Sequence, residues 1–365
     1  LTAAIIKNNN FKNNKMKNTI FIASIIGALV LTSCNKDDNM DTTINVNYPA
    51  AYVVNGEDAT VSVIKLSTNE VTATIPLMGT GTDMIMWPHH ISSHENHLAI
   101  GVPGMDLSAG HSGLMTAEMT GKLLVIDAMT GAIVKNINLP LMNHNSIYSP
   151  NGTEIWVPQM DEMNSKVLVY DATTNALKNT INTGIMSAEI TFSSDGTKAY
   201  VANGDDDSVT VINTSTKAII TTIPVGDNPV GAWTGSNGKM FVDNEDGQTV
   251  SVIDVATNTV TETIALGFMP GIASHNGTKN ELWVSDPNAG KVHYWNYDTA
   301  MGMWMHGGVF NTGAGAHAVS FTSDGNTAYV TNQIANTVSV INVANHTVTK
   351  TIAVGKKPNG VVIKM

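Results

Sequence analysis

Arginine is missing from this chain of 365 residues: its 19 basic side chains are all lysine, set against 30 acidic ones for a net charge of −11. Without guanidinium forks and with excess negative charge, nucleic acid and bidentate phosphate recognition are poor fits. Cysteine occurs once, at Cys34. That excludes a disulfide framework, a CxxC redox pair, a cysteine-rich zinc site and a CxxCH haem attachment. The longest apolar run, over 20–31, is too short to span a bilayer comfortably. His94-Glu95-Asn96-His97 lacks the spacing of a zinc-protease helix, and Gly110-His111-Ser112-Gly113 lacks that of a nucleophile elbow. No glycine-rich phosphate loop is present.

What the front of the chain does contain reads as an address. Residues 1–15 are rich in Asn and Lys. From Met16 a lysine, the apolar run and then small residues lead to Cys34, the flanks of a secretory signal. Leu31-Thr32-Ser33-Cys34 resembles a bacterial lipobox, in which the cysteine is acylated and becomes the first mature residue. Asn35-Lys36-Asp37-Asp38-Asn39 resembles the surface-export tag of Bacteroidetes lipoproteins. The resemblance implies removal of residues 1–33 and a membrane anchor at Cys34. It also implies an outer-membrane, surface-exposed protein. Removal takes away Lys7, Lys12, Lys15 and Lys17 and no acid, so the net charge becomes −15. Residues 34–47 read as a polar tether.

Repeats organise the remainder, 48–365. Ala51-Tyr52-Val53-Val54-Asn55 recurs as Ala199-Tyr200-Val201-Ala202-Asn203, Met240-Phe241-Val242-Asp243-Asn244 and Ala328-Tyr329-Val330-Thr331-Asn332, with three looser copies. The second residue of each copy falls at 52, 99, 156, 200, 241, 283 and 329. A second short β-branched run follows every copy, as in Val61-Ser62-Val63-Ile64, then Thr/Asn turns and a third run. Four strands per unit, seven times, predicts an all-β, seven-bladed β-propeller in one domain. The first copy lacks an innermost strand and the last is followed by a spare one at 359–364. The C-terminal strand is therefore expected to complete the N-terminal blade and hide the edges of the ring. The motif resembles the YVTN-type propeller repeat, a family whose fold hosts binding modules and enzymes alike.

Histidine and methionine collect on one face. Aligned on their turn glycines, the innermost strands place His89, His144 and His317 at one hub position, where Ala188, Val230, Gly271 and Asn359 stand in the other blades. His90 adjoins the first. An insertion in the second blade separates Ala99 from Leu123 by 24 residues, against 9 from Tyr200 to Val209, and carries Met105, His111, Met115 and Met119. Met84, Met86, Met142, Met160, Met163, Met186 and Met269 fall in loops of the same face. Imidazole suits copper, zinc and iron, and thioether sulfur favours Cu(I). The expected metal ligands are accordingly His89, His90, His111, His144, His317, Met105, Met115 and Met119, with copper the foremost ion. In position only, this hub resembles the His-lined propeller of nitrous oxide reductase. That enzyme's cupredoxin domain is not found in these residues, and its activity is not implied.

Two further clusters have plainer readings. Met301, Met303 and Met305 share one face of an outer strand, which reads as packing against a neighbouring blade. Asp205-Asp206-Asp207 and Asp243-Asn244-Glu245-Asp246 read as solvated hairpin tips. The chain is thus expected to be a monomeric, lipid-anchored binding module taking a metal ion through the hub. The alternatives are a metal-dependent oxidoreductase or lyase, with Glu189 as its acid or base, and a metal-free surface module for a protein or glycan partner.

Overall fold

A computed structural model describes residues 44–78, 84–108, 110–111 and 119–365. Cys34 and Met115 lie outside the described residues. Among the described residues, seven four-stranded antiparallel sheets of 28 strands make the seven blades of a β-propeller. Blade 1 holds Ala50–Asn55, Thr60–Lys65 and Glu70–Pro76, completed by the C-terminal strand Pro358–Lys364. Blades 2 to 7 span 91–138, 147–182, 187–224, 229–265, 273–311 and 316–353. The expected closure is present: Ala51 pairs with Ile363 and Tyr52 with Val362, so the last strand joins the first blade. No helix among the described residues is long and apolar enough to cross a membrane.

Burial explains the strand chemistry. The second strand of each blade is buried on both faces, as in Ala50–Asn55, because it lies between two neighbouring blades. The outermost strands are largely exposed and are accordingly rich in Thr, Lys and Asn, as in Thr347–Ala353. Apolar clusters join adjacent blades: Ala99, Leu123 and Val125 of blade 2 pack with Ile155, Val157 and Leu168 of blade 3. Truncating a core side chain such as Trp156 or Trp283, both fully buried, costs about 3–5 kcal/mol.

The repeat motif has a physical reason at each polar position. Asn55, Asn203, Asn244 and Asn332 each donate from Nδ2 to two hydroxyls of the next strand, at 2.9–3.1 Å. For Asn55 these are Thr60 and Ser62. The motif tyrosines reach across to the following blade. Tyr52 donates its hydroxyl to the Ala128 carbonyl at 2.8 Å, and Tyr329 donates to Asn69 Oδ1 at 2.5 Å. One amide staples a blade internally, and one phenol staples it to its neighbour.

Two details refine the expectations. Val46, inside the expected tether, is buried in the core, and its N–H donates to the Met129 carbonyl at 2.8 Å. In the outer strand Met303–Asn311, Met303 and Met305 are exposed and Trp304 between them is buried. Trp304, packed with Phe241 and Val250 of blade 5, makes the inter-blade contact that had been expected of the methionines.

Candidate functional site

At the hub the loops and inner strands of blades 2, 3 and 7 bring His89, His90, His144 and His317 together. All four are buried. Ring centroids lie 4.5 Å apart for His89–His90, 4.3 Å for His89–His144 and 4.7 Å for His90–His144. His317 is 5.6 Å from both His89 and His90. Backbone contacts fix this convergence. The N–H of His89 donates to the Gly101 carbonyl at 2.8 Å, and the N–H of Gly360 donates to the His89 carbonyl at 3.1 Å. A Cβ at Gly101 would stand 2.5 Å from the His144 carbonyl oxygen, so glycine is what lets the two blades meet here.

The insertion of blade 2 crosses to this cluster. His111 accounts for the arrival: its N–H donates to Glu245 Oε2 at 3.0 Å, and its Nδ1 lies 3.0 Å from Glu245 Oε1. Its Nε2 is 2.9 Å from Nε2 of His144, whose Nδ1 is 2.8 Å from Glu189 Oε1. Lys357, the residue before the closing strand, holds the same insertion by donating to Ser108 Oγ at 3.0 Å. A carboxylate–imidazole–imidazole–carboxylate chain therefore runs from Glu245 to Glu189. One proton arrangement satisfies every link: Glu245 ionised, His111 protonated on Nδ1, His144 on Nε2, and Glu189 a neutral acid.

Electrostatics agrees with that arrangement. Burial holds His89, His90 and His144 well below the ordinary imidazole range, and neighbouring imidazoles add to it. Burial pushes His317 down to about 4, opposed by a hydrogen bond with the Asn359 backbone. Burial lifts Glu189 well above the carboxylate range, and Asp243 adds to it wherever Asp243 is ionised. Burial acts the same way on Glu245, but the charge His111 carries when doubly protonated, together with the hydrogen bonds it gives in either form, outweighs it and leaves that carboxyl below its usual value. Asp243 is held well above its ordinary range by burial, despite accepting the indole N–H of Trp233.

Several of these groups lack a hydrogen bond, although His90 Nε2 lies 3.4 Å from Glu189 Oε1. Both ring nitrogens of His89, Nε2 of His90, Nδ1 of His317 and Oε2 of Glu189 have no hydrogen-bond partner among the described residues. Two donor sets have ligand atoms within 4.8 Å of one another: His89, His90 and His317, and His90, His144 and Glu189. Neutral imidazoles with free lone pairs, held on rigid strands, have the chemistry of a transition-metal site.

The expected ligands thus divide. His89, His90, His111, His144 and His317 are brought together. Met142, Met160 and Met186 are buried instead in an apolar cluster with Leu107, Ala188 and Val230, against which Met105 and Met119 pack. Since Ala188 and Val230 hold the hub positions of blades 4 and 5, the methionines cover the apolar half of the hub. Met84, Met86 and Met163 are exposed. Asp205, Asp206 and Asp207 are exposed as expected, but Asp243, Asn244 and Glu245 are buried rather than solvated. Asp243 stands at a strand position where the other copies carry Val54, Gly101, Pro158, Ala202, Ser285 and Thr331. That departure was the available signal.

No family model matches the chain, and none of the curated proteins does. Solved structures match in fold. A functionally unknown protein from Desulfotomaculum acetoxidans is 12% identical with a TM-score of 0.67, over 86% of this chain and 98% of that one. The periplasmic gluconolactonase of Pseudomonas aeruginosa is 14% identical with a TM-score of 0.66, over 87% and 99%. Hydrazine synthase from Kuenenia stuttgartiensis is 15% identical with a TM-score of 0.60, over 75% and 88%. At such identities the likeness is one of fold, and the chain shares with these proteins the β-propeller architecture.

Proposed function

We propose that this protein is an exported, lipid-anchored β-propeller of the YVTN type that binds a late transition metal, copper foremost, in its hub. The observation that carries the reading is His89: almost wholly buried, with neither ring nitrogen partnered, and facing three other imidazoles. Buried polar groups are nearly always paired, and an orphan costs about 1–3 kcal/mol. Coordination offsets that cost. Copper heads the order because imidazole sites follow the Irving–Williams series, in which copper is bound most tightly.

The test is Cu(I) titration against a competing chelator, with Zn²⁺ as the comparison ion. The native chain binds Cu(I) more tightly than micromolar, and a chain with His89, His144 and His317 all changed to Ala loses that affinity. Equal affinity in both, or none in the native chain, would leave these histidines structural. Anchoring is tested separately. Cys34→Ala releases the protein from membranes and abolishes palmitate labelling; retention with labelling contradicts the anchor.

A second reading, hydrolysis of a sugar lactone, is favoured by the fold likeness to the Pseudomonas gluconolactonase. Glu189, a neutral acid against His144, would be its proton donor. Gluconolactone turnover lost in Glu189→Gln supports it, and no turnover above background by the native chain removes it.

A further inference from the structure

The geometry points to two metal seats in the hub, side by side, rather than one. This inference rests on the metal-binding reading above. The first seat is the three-imidazole group of His89, His90 and His317, whose donor atoms lie within 4.8 Å of one another. The second lies between His111 and His144, and different observations carry it.

His111 and His144 present Nε2 to Nε2 at 2.9 Å. On the far side of each ring, Nδ1 faces a buried carboxylate: Glu245 at 3.0 Å for His111 and Glu189 at 2.8 Å for His144. A histidine whose distal nitrogen is fixed by a carboxylate is the usual arrangement of a metal ligand, because the carboxylate sets the tautomer and aims the other nitrogen. Glu245 makes that arrangement at His111 as it stands, and Glu189 makes it at His144 once its proton has passed to Nδ1, so that both Nε2 atoms face one point. A hydrogen bond between those nitrogens uses one proton. An ion inserted there takes both Nε2 lone pairs: the Nε2 proton of His144 leaves to the buffer, and the proton of Glu189 passes to His144 Nδ1 across the 2.8 Å contact.

The two seats cannot be one. Glu189 occupies the Nδ1 side of His144, so the free nitrogen of that ring is Nε2, where His111 stands. Five imidazoles exceed the four ligands of a tetrahedral ion. A single ion held by His89, His90 and His317 therefore leaves the His111–His144 pair unused. Yet the seats are neighbours, since the His144 ring is 4.3 Å from that of His89 and 4.7 Å from that of His90. With metal–nitrogen bonds of about 2.0 Å, nitrogens 2.9 Å apart subtend roughly a right angle at an ion. The rings therefore part by a few tenths of an ångström for a tetrahedral ion and by about 1 Å for a linear, two-coordinate Cu(I).

The experiment counts ions. The metal-free full chain is loaded with chelator-buffered Cu(I), dialysed, and its copper measured by mass spectrometry. Two ions per chain are expected. His111→Gln is expected to keep one, and His317→Gln to keep one, each with the melting temperature of its metal-free form close to native. One ion in the native chain, lost in either variant, overturns the second seat while leaving the metal-binding reading intact. No copper in the native chain overturns both. Two ions surviving His111→Gln overturns the placement. Should a variant fail to fold, Cu(II) loading of the native chain decides. The electron paramagnetic resonance signal broadens between one and two equivalents if the ions are neighbours. A doubled, unbroadened signal overturns the pairing.

Discussion

His111 and His144 meet nitrogen to nitrogen at 2.9 Å although they belong to different blades. The contact exists because Glu245, on blade 5, takes two hydrogen bonds from His111 and so pulls the blade 2 insertion across the hub. Structure at this point is decided by a carboxylate 134 residues away from the histidine it holds.

Glu245→Ala removes both bonds and leaves a buried imidazole and a backbone N–H unpaired. Hydrogen bonds to a charged group contribute about 1.5–3 kcal/mol, so denaturant unfolding should show a loss on the order of 2 kcal/mol. The insertion should also become sensitive to limited proteolysis. A loss below about 0.5 kcal/mol with no new cleavage contradicts the anchor.

Asp243 is buried, held well above the carboxylate range by that burial, and accepts a bond from Trp233. It therefore holds its proton to higher pH than an exposed carboxyl does, and Asp243→Asn keeps the shape and charge of that protonated form. That variant should unfold within about 1 kcal/mol of native, whereas Asp243→Ala, which orphans the indole, should cost about 2 kcal/mol or more. The sign follows from linkage. A carboxyl with its folded pKa raised stabilises fully below its unfolded value and loses that contribution as pH rises through the folded one. Asp243→Asn should flatten the decline in stability that sets in as pH rises above about 4. Equal declines in both proteins contradict a raised Asp243.

The hub histidines act in the opposite sense. With His317 at about 4 when folded and about 6.5 when unfolded, the unfolded chain binds more protons between these values. Stability of the metal-free protein should then fall as pH drops from 6.5 towards 4, by on the order of 3 kcal/mol from this residue alone. Bound metal should shift the onset of that loss to lower pH, because a coordinated imidazole resists protonation. Thermal melts across the range check both, and a flat acid limb contradicts the buried, neutral cluster.

Deleting residues 358–365 removes the strand that pairs with Ala50–Asn55 and takes Asn359 from the hub. Asn359 accepts from Gln333 at 2.7 Å and from Thr331 at 2.8 Å, tying blade 7 to blade 1. The truncated chain should aggregate through the open edge of blade 1. Light scattering and melting tell the outcome, and a monomer melting like the full chain contradicts the closure.

The blades were legible in the sequence because each repeat is local: Tyr329 to Asn332, a hydroxyl-bearing strand, a turn and an outer strand all lie within a few dozen residues. Closure was legible for the same reason, as one strand missing at the front and one spare at the end. The convergence of His89, His144 and His317 followed from rotation about the ring axis. Glu245 was not legible, because an acid at a hairpin tip is ordinarily solvated and its contact with His111 spans 134 residues, whereas Asp243 was signalled only by its departure from the other copies of its strand. The methionines were placed on the right face, but loop assignment does not tell a side chain that points at the hub donors from one that packs with Leu107. Met142, Met160 and Met186 do the latter.

X-ray absorption at the copper edge of the loaded protein tests the central claim most directly. Imidazole ligation predicts a first shell of nitrogen near about 2.0 Å with the outer-shell scattering of rigid imidazole rings, lost together in the triple His→Ala chain. A first shell dominated by sulfur near about 2.3 Å, without ring scattering, would place the metal among the methionines and contradict the account.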